Sequence, residues 1–339
     1  MARNMSARRL VRLLAKKLEP SVRASFDESI EDILADINIK NLTEALRSGN
    51  VEEALRVIGL DATQFRPLDR AISHTYEAGG LEFSKDLRSM APRETRVLIR
   101  FDIRNTRAEE WLRGHSSELV SDILDDQRVM LRKALRTSME AGRNPRSAAL
   151  DIVGRLNRVT GKRVGGHIGL TSRLEEASRG YNASLRAGDA KSLRRALSLD
   201  LRDRRFDRTV LKAIREGKKI PAGTIETMTR AYRNRALKHR GNAIARTEML
   251  EALQEAKLEN YRQAVERGAV REQDVTRFWR TAADERVRDD HKLIASMNPN
   301  GVGLEELFQT PDGAVMRSPH GPNCRCDIDV RVDFLAEHR

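Results

Sequence analysis

Asp284, Arg288 and His291 are spaced i, i+4, i+7, which on a helix turning about 100° per residue puts them within about 60° of arc on one face. A carboxylate, a guanidinium and an imidazole in that arrangement could orient one another for acid–base work, or close a buried ion-pair staple. His320 and Cys324-x-Cys326 follow, and His291, His320, Cys324 and Cys326 together make a complete ligand count for zinc. Against zinc, Cys324, Cys326, Ile328, Val330 and Val332 alternate with Arg325, Asp327, Asp329, Arg331 and Asp333. That is the period of a half-buried strand, with both sulfurs on its buried face. Two cysteines at i and i+2 are poorly placed for a relaxed disulfide, and a nucleophilic sulfur needs an exposure and a base that the strand pattern does not offer. Core side chain, zinc ligand and Cys–His nucleophile are the three readings, in that order.

These residues need elements to hold them. Ile225, Met228, Tyr232, Ala236, His239 and Ala243, then Thr247, Leu250, Leu258, Tyr261 and Val265, follow three-and-four spacing, which predicts a helix from about Ile225 to Arg267, ended by Gly268. One face of it carries Glu248, Glu251, Glu255, Glu259 and Glu266. We expect a solvated stripe, with contact to an Arg-rich partner the less favoured alternative. Pro311-Asp312-Gly313 reads as a turn feeding a strand at Ala314-Val315-Met316. Upstream, Asn50 and Asp189 are helix starts, Asn144-Pro145 places a cap before a proline at the first helical position, and Gly217 closes a helix. The expected fold is mostly α, with an elongated multi-helical body, a small C-terminal α+β unit, and one long helix leading into it. The expected division is a basic N-terminal arm (1–20), a helical region (21–142), a basic helical region (143–224) and a C-terminal domain (225–339).

The chain has 339 residues, 63 Lys+Arg against 50 Asp+Glu, a net charge of +13 and two cysteines. This is long enough for more than one packed unit and has too few thiols for a disulfide framework. No apolar run reaches membrane-spanning length, and Arg9, Arg12, Lys16 and Lys17 interrupt the N-terminal apolar stretches, so neither a membrane anchor nor a secretory leader is expected. Residues 143–240 hold 25 Lys+Arg against 9 Asp+Glu, a net of +16, and residues 1–20 carry +5, while residues 271–339 carry −3. A localised basic block suits phosphate neutralisation. Arg194, Arg195, Arg202, Arg204, Arg205, Arg208, Lys218 and Lys219 are its candidate DNA-binding residues. Its few aromatics, Tyr181, Phe206 and Tyr232, argue against single-strand stacking. No Walker loop is present, because Leu156 stands where that pattern needs glycine and Arg163 follows Gly161-Lys162.

The ordered set Ile244-Ala245-Arg246-Thr247-Glu248, Asn260, Trp279, Asp284, Arg286, Arg288, His291, Phe308, Gly313, Pro322 and Asn323-Cys324-Arg325-Cys326 resembles the C-terminal domain of phage head morphogenesis, or minor head, proteins of the Mu protein F and SPP1 gp7 groups. The resemblance covers about residues 225–333, and residues 143–224 look like the helical region that commonly precedes it. One departure is His291-Lys292-Leu293-Ile294-Ala295-Ser296, where many relatives have a glycine shortly after the histidine. The resemblance implies a low-copy structural component of the prohead, made in the host cytoplasm and carried in the virion. Its implied partners are the portal protein, the capsid or scaffolding protein and double-stranded DNA, with no cofactor required. Within the motif, Arg246 and Glu248 are expected as helix-packing or ion-pair residues, and Trp279 and Phe308 as core. Asp284, Arg288 and His291 are expected as a hydrogen-bonded network holding a helix against the strand. The alternative function is a metal-dependent nuclease or toxin-like enzyme using Asp284 and His291, with metal at Cys324 and Cys326.

Overall fold

Short polar side chains set the helix starts. Asn38, Asn50, Asn144, Thr171 and Asp189 each accept backbone N–H groups of the first turn that follows them, groups that have no partner inside the helix. Pro145 occupies a first-turn position after Asn144, and Gly217 ends its helix at φ 64°, a left-handed conformation that costs glycine little. The computed structural model describes residues 7–334. In chain order its elements are α1 (Ala7–Asp36), α2 (Ile39–Arg47), α3 (Val51–Ile58), α4 (Arg66–Met90), α5 (Thr106–Glu140), α6 (Pro145–Val153), β1 (Arg155–Leu156) and β2 (Arg163–Val164). There follow α7 (Ser172–Ala187), α8 (Ala190–Leu197), α9 (Asp207–Glu216), α10 (Ala222–Glu266), β3 (Val275–Arg280), α11 (Asp289–Met297), β4 (Phe308–Thr310), β5 (Gly313–Val315) and β6 (Asp327–Val332). The chain is mostly α with a small C-terminal α+β part. The 45-residue α10 leads into β3, where the three-and-four periodicity places it.

The helices pack as two compact units, each assembled from segments distant in sequence: residues 7–26, 67–117 and 243–334 in one, and 27–66 and 118–242 in the other. Residues 21–142 are shared between both. Residues 1–6 of the basic N-terminal segment lie outside the described residues. From Ala7 the segment is helical, with Leu10, Val11, Leu14 and Leu18 buried at three-and-four spacing.

In the first unit, β3 and β6 pair antiparallel from Val275↔Val332 to Arg280↔Asp327. β4 and β5 form a hairpin, with Thr310↔Gly313 closing the Pro311–Asp312 turn. Leu258 and Tyr261 of α10, Trp279 of β3, Ile294 of α11, Phe308 of β4 and Ile328 of β6 share one buried cluster. Arg277 takes a core position on β3, 1% exposed. Its guanidinium donates to the carbonyls of Gly303 (2.8 Å), Met316 (2.6 Å) and Glu306, so a buried charge binds the loops around the hairpin through three backbone acceptors.

The glutamate stripe of α10 differs from expectation. Glu248, Glu255 and Glu259 are buried, and their partners lie within the same unit. Glu248 is 2.7 Å from His115 Nε2, Glu259 accepts both Nε and Nη2 of Arg107 at 3.1 Å, and Glu255 accepts from Arg262 at 3.0 Å and Arg317 at 2.5 Å. Arg317 also binds Glu251, and Arg107 binds Glu266. The stripe is therefore an internal ion-pair network rather than a solvated face. Carboxylates this far from water persist only when paired.

The second unit has its own core, in which Tyr181, Leu185, Leu193, Val210, Ile225 and Met228 pack together and Tyr181 stacks on Tyr232 at 4.8 Å. α7, α8, α9 and the start of α10 are thereby held as one helical cluster. Among the described residues no helix is long and apolar enough to cross a membrane.

Candidate functional site

The segment after β3 is not helical where its spacing suggests. Ala283 has φ 56°, Arg288 is extended (φ −62°, ψ 149°) as the residue preceding α11, and the helix begins at Asp289. Asp284 and Arg288 therefore do not share a helix face with His291. The i, i+4, i+7 spacing is instead spent on a turn. Asp284 accepts Nη1 and Nη2 of Arg325 at 2.6 and 2.8 Å, and also the backbone N–H of Arg286 at 3.0 Å. The Arg325 guanidinium holds the Asp284 carboxyl below its usual range. Arg288 donates to the carbonyls of Pro322 (2.5 Å) and His320 (3.3 Å), with its Nη1 3.5 Å from His291 Nε2.

The cysteines also differ from their expected setting. β6 begins at Asp327 because its partner strand ends at Arg280, the register mate of Asp327. Cys324 and Cys326 precede the ladder, on a loop that turns through Asn323 at φ 57°. The alternation survives as burial, since both cysteines are 3% exposed while Arg325 between them faces solvent. Each sulfur approaches the same imidazole nitrogen, His291 Nδ1, at 3.5 Å from Cys324 and 3.4 Å from Cys326. The backbone N–H of Cys326 points at Cys324 Sγ, 3.4 Å away. Hydrogen bonding from Cys326 lowers the Cys324 thiol, and the same contact pushes the Cys326 thiol up.

Of the four zinc candidates, the structure gathers three. The donor atoms of His291, Cys324 and Cys326 all lie within 4.8 Å of one another and could hold a metal ion. The fourth, His320, has its ring beside that of His291, with centroids 5.4 Å apart, but its Nε2 faces Asp312 at 3.9 Å. His291, Arg288, Asn323 and the two cysteines line a cavity of about 30 Å³.

The α10 motif lies in the same compact unit. Thr247 Oγ1 accepts the backbone N–H of Asn323 at 3.1 Å and so docks the cysteine loop. Arg246 reaches Glu19 at 3.4 Å, and Glu248 meets His115. Asn260 is 1% exposed, and neither of its amide atoms has a hydrogen-bond partner among the described residues. Trp279 packs edge-on against Phe308 at 5.5 Å and against His291 at 6.4 Å.

Residues 205–329 match the family model described as Phage Mu protein F like protein. This segment is similar to phage Mu protein F. It runs from the residue preceding Phe206 to the middle of β6 and contains every motif residue from Arg246 to Cys326. Arg-Thr-Glu, Asp-x-x-x-Arg-x-x-His and Cys-Arg-Cys, which carry the sequence resemblance, all lie inside the matched residues. No curated protein and no solved structure matches the chain.

The basic residues just before and within the Mu F-like segment divide into two kinds. Arg194, Arg195, Arg204, Arg208, Lys218 and Lys219 are exposed. Arg202 is half-buried, its guanidinium engaged by Asp207 at 3.0 and 3.1 Å and by the Leu199 carbonyl. Arg205 is exposed but donates to Asp203. A second basic concentration escaped the sequence reading: Arg143, Arg155, Arg179, Arg186, Arg230 and Arg233 line a cavity of about 190 Å³. Next to it, burial pushes His167 well below its ordinary value, with the Arg233 charge adding to the effect. The +16 count over residues 143–240 contained this signal without locating it.

Proposed function

We propose that this chain is a minor head protein seated at the portal vertex, and that it touches packaged double-stranded DNA through the exposed cations of α8, α9 and their flanking loops. The observation that carries the reading is the Mu F-like match over residues 205–329. The charge distribution supports its second part. Between Arg186 and Lys219 there are twelve Lys+Arg and five Asp+Glu, and most of the cations point to solvent. Cations on one short helical cluster can follow a phosphate backbone, releasing a condensed counterion at each contact. The portal and coat proteins are the partners this reading implies.

The same reading gives the Asp-x-x-x-Arg-x-x-His residues a structural role. An acid–base pair would need Asp284 beside His291, but both carboxylate oxygens of Asp284 are taken by Arg325. Arg288 joins the start of α11 to the carbonyls of the cysteine loop. A nuclease activity abolished by His291→Ala would contradict this role.

The DNA contact is tested by titrating the full chain against a double-stranded fragment at graded salt. The apparent affinity should fall with salt on a log–log line. Replacing Arg194, Arg195, Lys218 and Lys219 with glutamine should reduce the slope by about 0.9 for each lost phosphate contact. An unchanged slope in that variant would remove this surface from the proposal.

A further inference from the structure

Three donor groups converge on one point in the first unit, and hydrogen bonding alone does not explain their aim. An imidazole Nδ1 has one lone pair or one N–H, so it makes a full, linear hydrogen bond to one thiol at a time. Here both Cys324 Sγ and Cys326 Sγ are directed at it, at 3.5 and 3.4 Å. Zinc bonds of about 2.3 Å to sulfur and about 2.0–2.1 Å to nitrogen, at tetrahedral angles, imply a sulfur–nitrogen separation of about 3.6 Å. Both observed separations lie close to that edge.

We propose that His291 Nδ1, Cys324 Sγ and Cys326 Sγ bind one Zn²⁺, with water at the fourth vertex, and that the ion joins α11 to the loop leading into β6. Two thiolates and a neutral imidazole cancel the charge of the ion, which suits a site whose ligands are each 3% exposed. The competing roles fit less well. A nucleophilic cysteine needs exposure, and a pair of small core hydrophobes would have no reason to aim both sulfurs at one ring nitrogen.

The surroundings hold the ligands in place without the metal. Thr247 and Arg288 fix the cysteine loop just before Cys324, at the adjacent residues Asn323 and Pro322. The backbone N–H of Cys326 faces the sulfur of Cys324, and the backbone N–H of His291 donates to Asp290 Oδ1 at 2.9 Å, which fixes the first turn of α11. The cavity of about 30 Å³ beside the ligands has room for a water molecule. His320 is left out, because it is not in the group whose donor atoms lie within 4.8 Å of one another. The binding event is Zn²⁺ exchanging for the protons of two thiols, so up to two protons leave for each ion bound.

The full-length protein, purified under reducing conditions from zinc-supplemented cells, should contain one zinc per chain by elemental mass spectrometry. After the zinc is removed with a chelator, Co²⁺ should restore a site with the visible bands of a tetrahedral ion and sulfur-to-metal charge transfer in the ultraviolet. Cys324→Ser, Cys326→Ser and His291→Ala should each weaken metal binding by at least about tenfold, and His320→Ala should retain it. The wild-type cobalt spectrum does not depend on any variant folding. A metal-free purified protein that also gives no cobalt spectrum would overturn the site. Cobalt bound without sulfur charge transfer would do the same, and loss of metal in His320→Ala would overturn the three-ligand assignment.

Discussion

Lys257 donates to Asp327 Oδ1 at 2.7 Å and to the Ile328 carbonyl at 2.9 Å, and Gln254 donates to the same carboxylate oxygen at 2.6 Å. The two charged side chains are 3% and 8% exposed, so α10 holds the first residues of β6 through a dry ion pair. Lys257→Met leaves the Asp327 carboxylate buried with only an amide partner and should destabilise this unit by about 3–5 kcal/mol. The double variant Lys257→Met/Asp327→Leu should recover most of that loss, because an apolar pair carries no desolvation penalty. Chemical unfolding followed by circular dichroism measures both. A single-variant loss under about 1 kcal/mol would mean that the pair is solvent-screened. This pair was not legible in the sequence: seventy residues separate Lys257 from Asp327, and a lysine on a helix rich in charge looks solvated. The cysteines and His291 were legible as a group. Their backbone was misjudged, because spacing of four and three is equally compatible with a turn that passes through Ala283 in the left-handed region.

At the scale of elements, α4 and α10 meet through small residues. A Cβ at Gly79 would come within 2.7 Å of Leu253 Cδ2 and 3.6 Å of Ala256 Cβ, and one at Gly80 would enter the ring of Phe101. Gly80→Ala adds one methyl group where an aromatic face already lies, and overpacking of that kind costs about 1–3 kcal/mol. The gain in helix propensity over glycine, about 1 kcal/mol, only partly offsets it. Thermal unfolding should therefore show a lowered midpoint, and a raised one would mean that Phe101 moves aside freely. Element boundaries were the most readable feature of the sequence. Asn50, Asn144, Asp189 and Gly217 act as local caps, as their sequence neighbours imply, because a cap depends on neighbours within one turn. The glutamate stripe was misread for the opposite reason. Its counter-charges, Arg107, His115 and Arg317, come from segments far along the chain, and periodicity shows a face without showing what covers it.

For the molecule as a whole, charge counting located the basic block correctly in sequence but could not sort its members. Arg202 and Arg205 are drawn into pairs with Asp207 and Asp203. Arg233 is half-buried and lines a cavity, while Arg194, Arg195, Lys218 and Lys219 face solvent. The Mu F-like segment joins part of this block to the unit that holds the His291–Cys324–Cys326 cluster. The most direct test is assembly of heads from the coat and portal proteins of the same phage or prophage, with this chain present. Purified particles would then be counted by quantitative mass spectrometry and imaged without imposed symmetry. The chain should stay with the heads in a few copies each, with its density at the portal vertex. Heads that assemble to completion and leave the chain in the soluble fraction would contradict it.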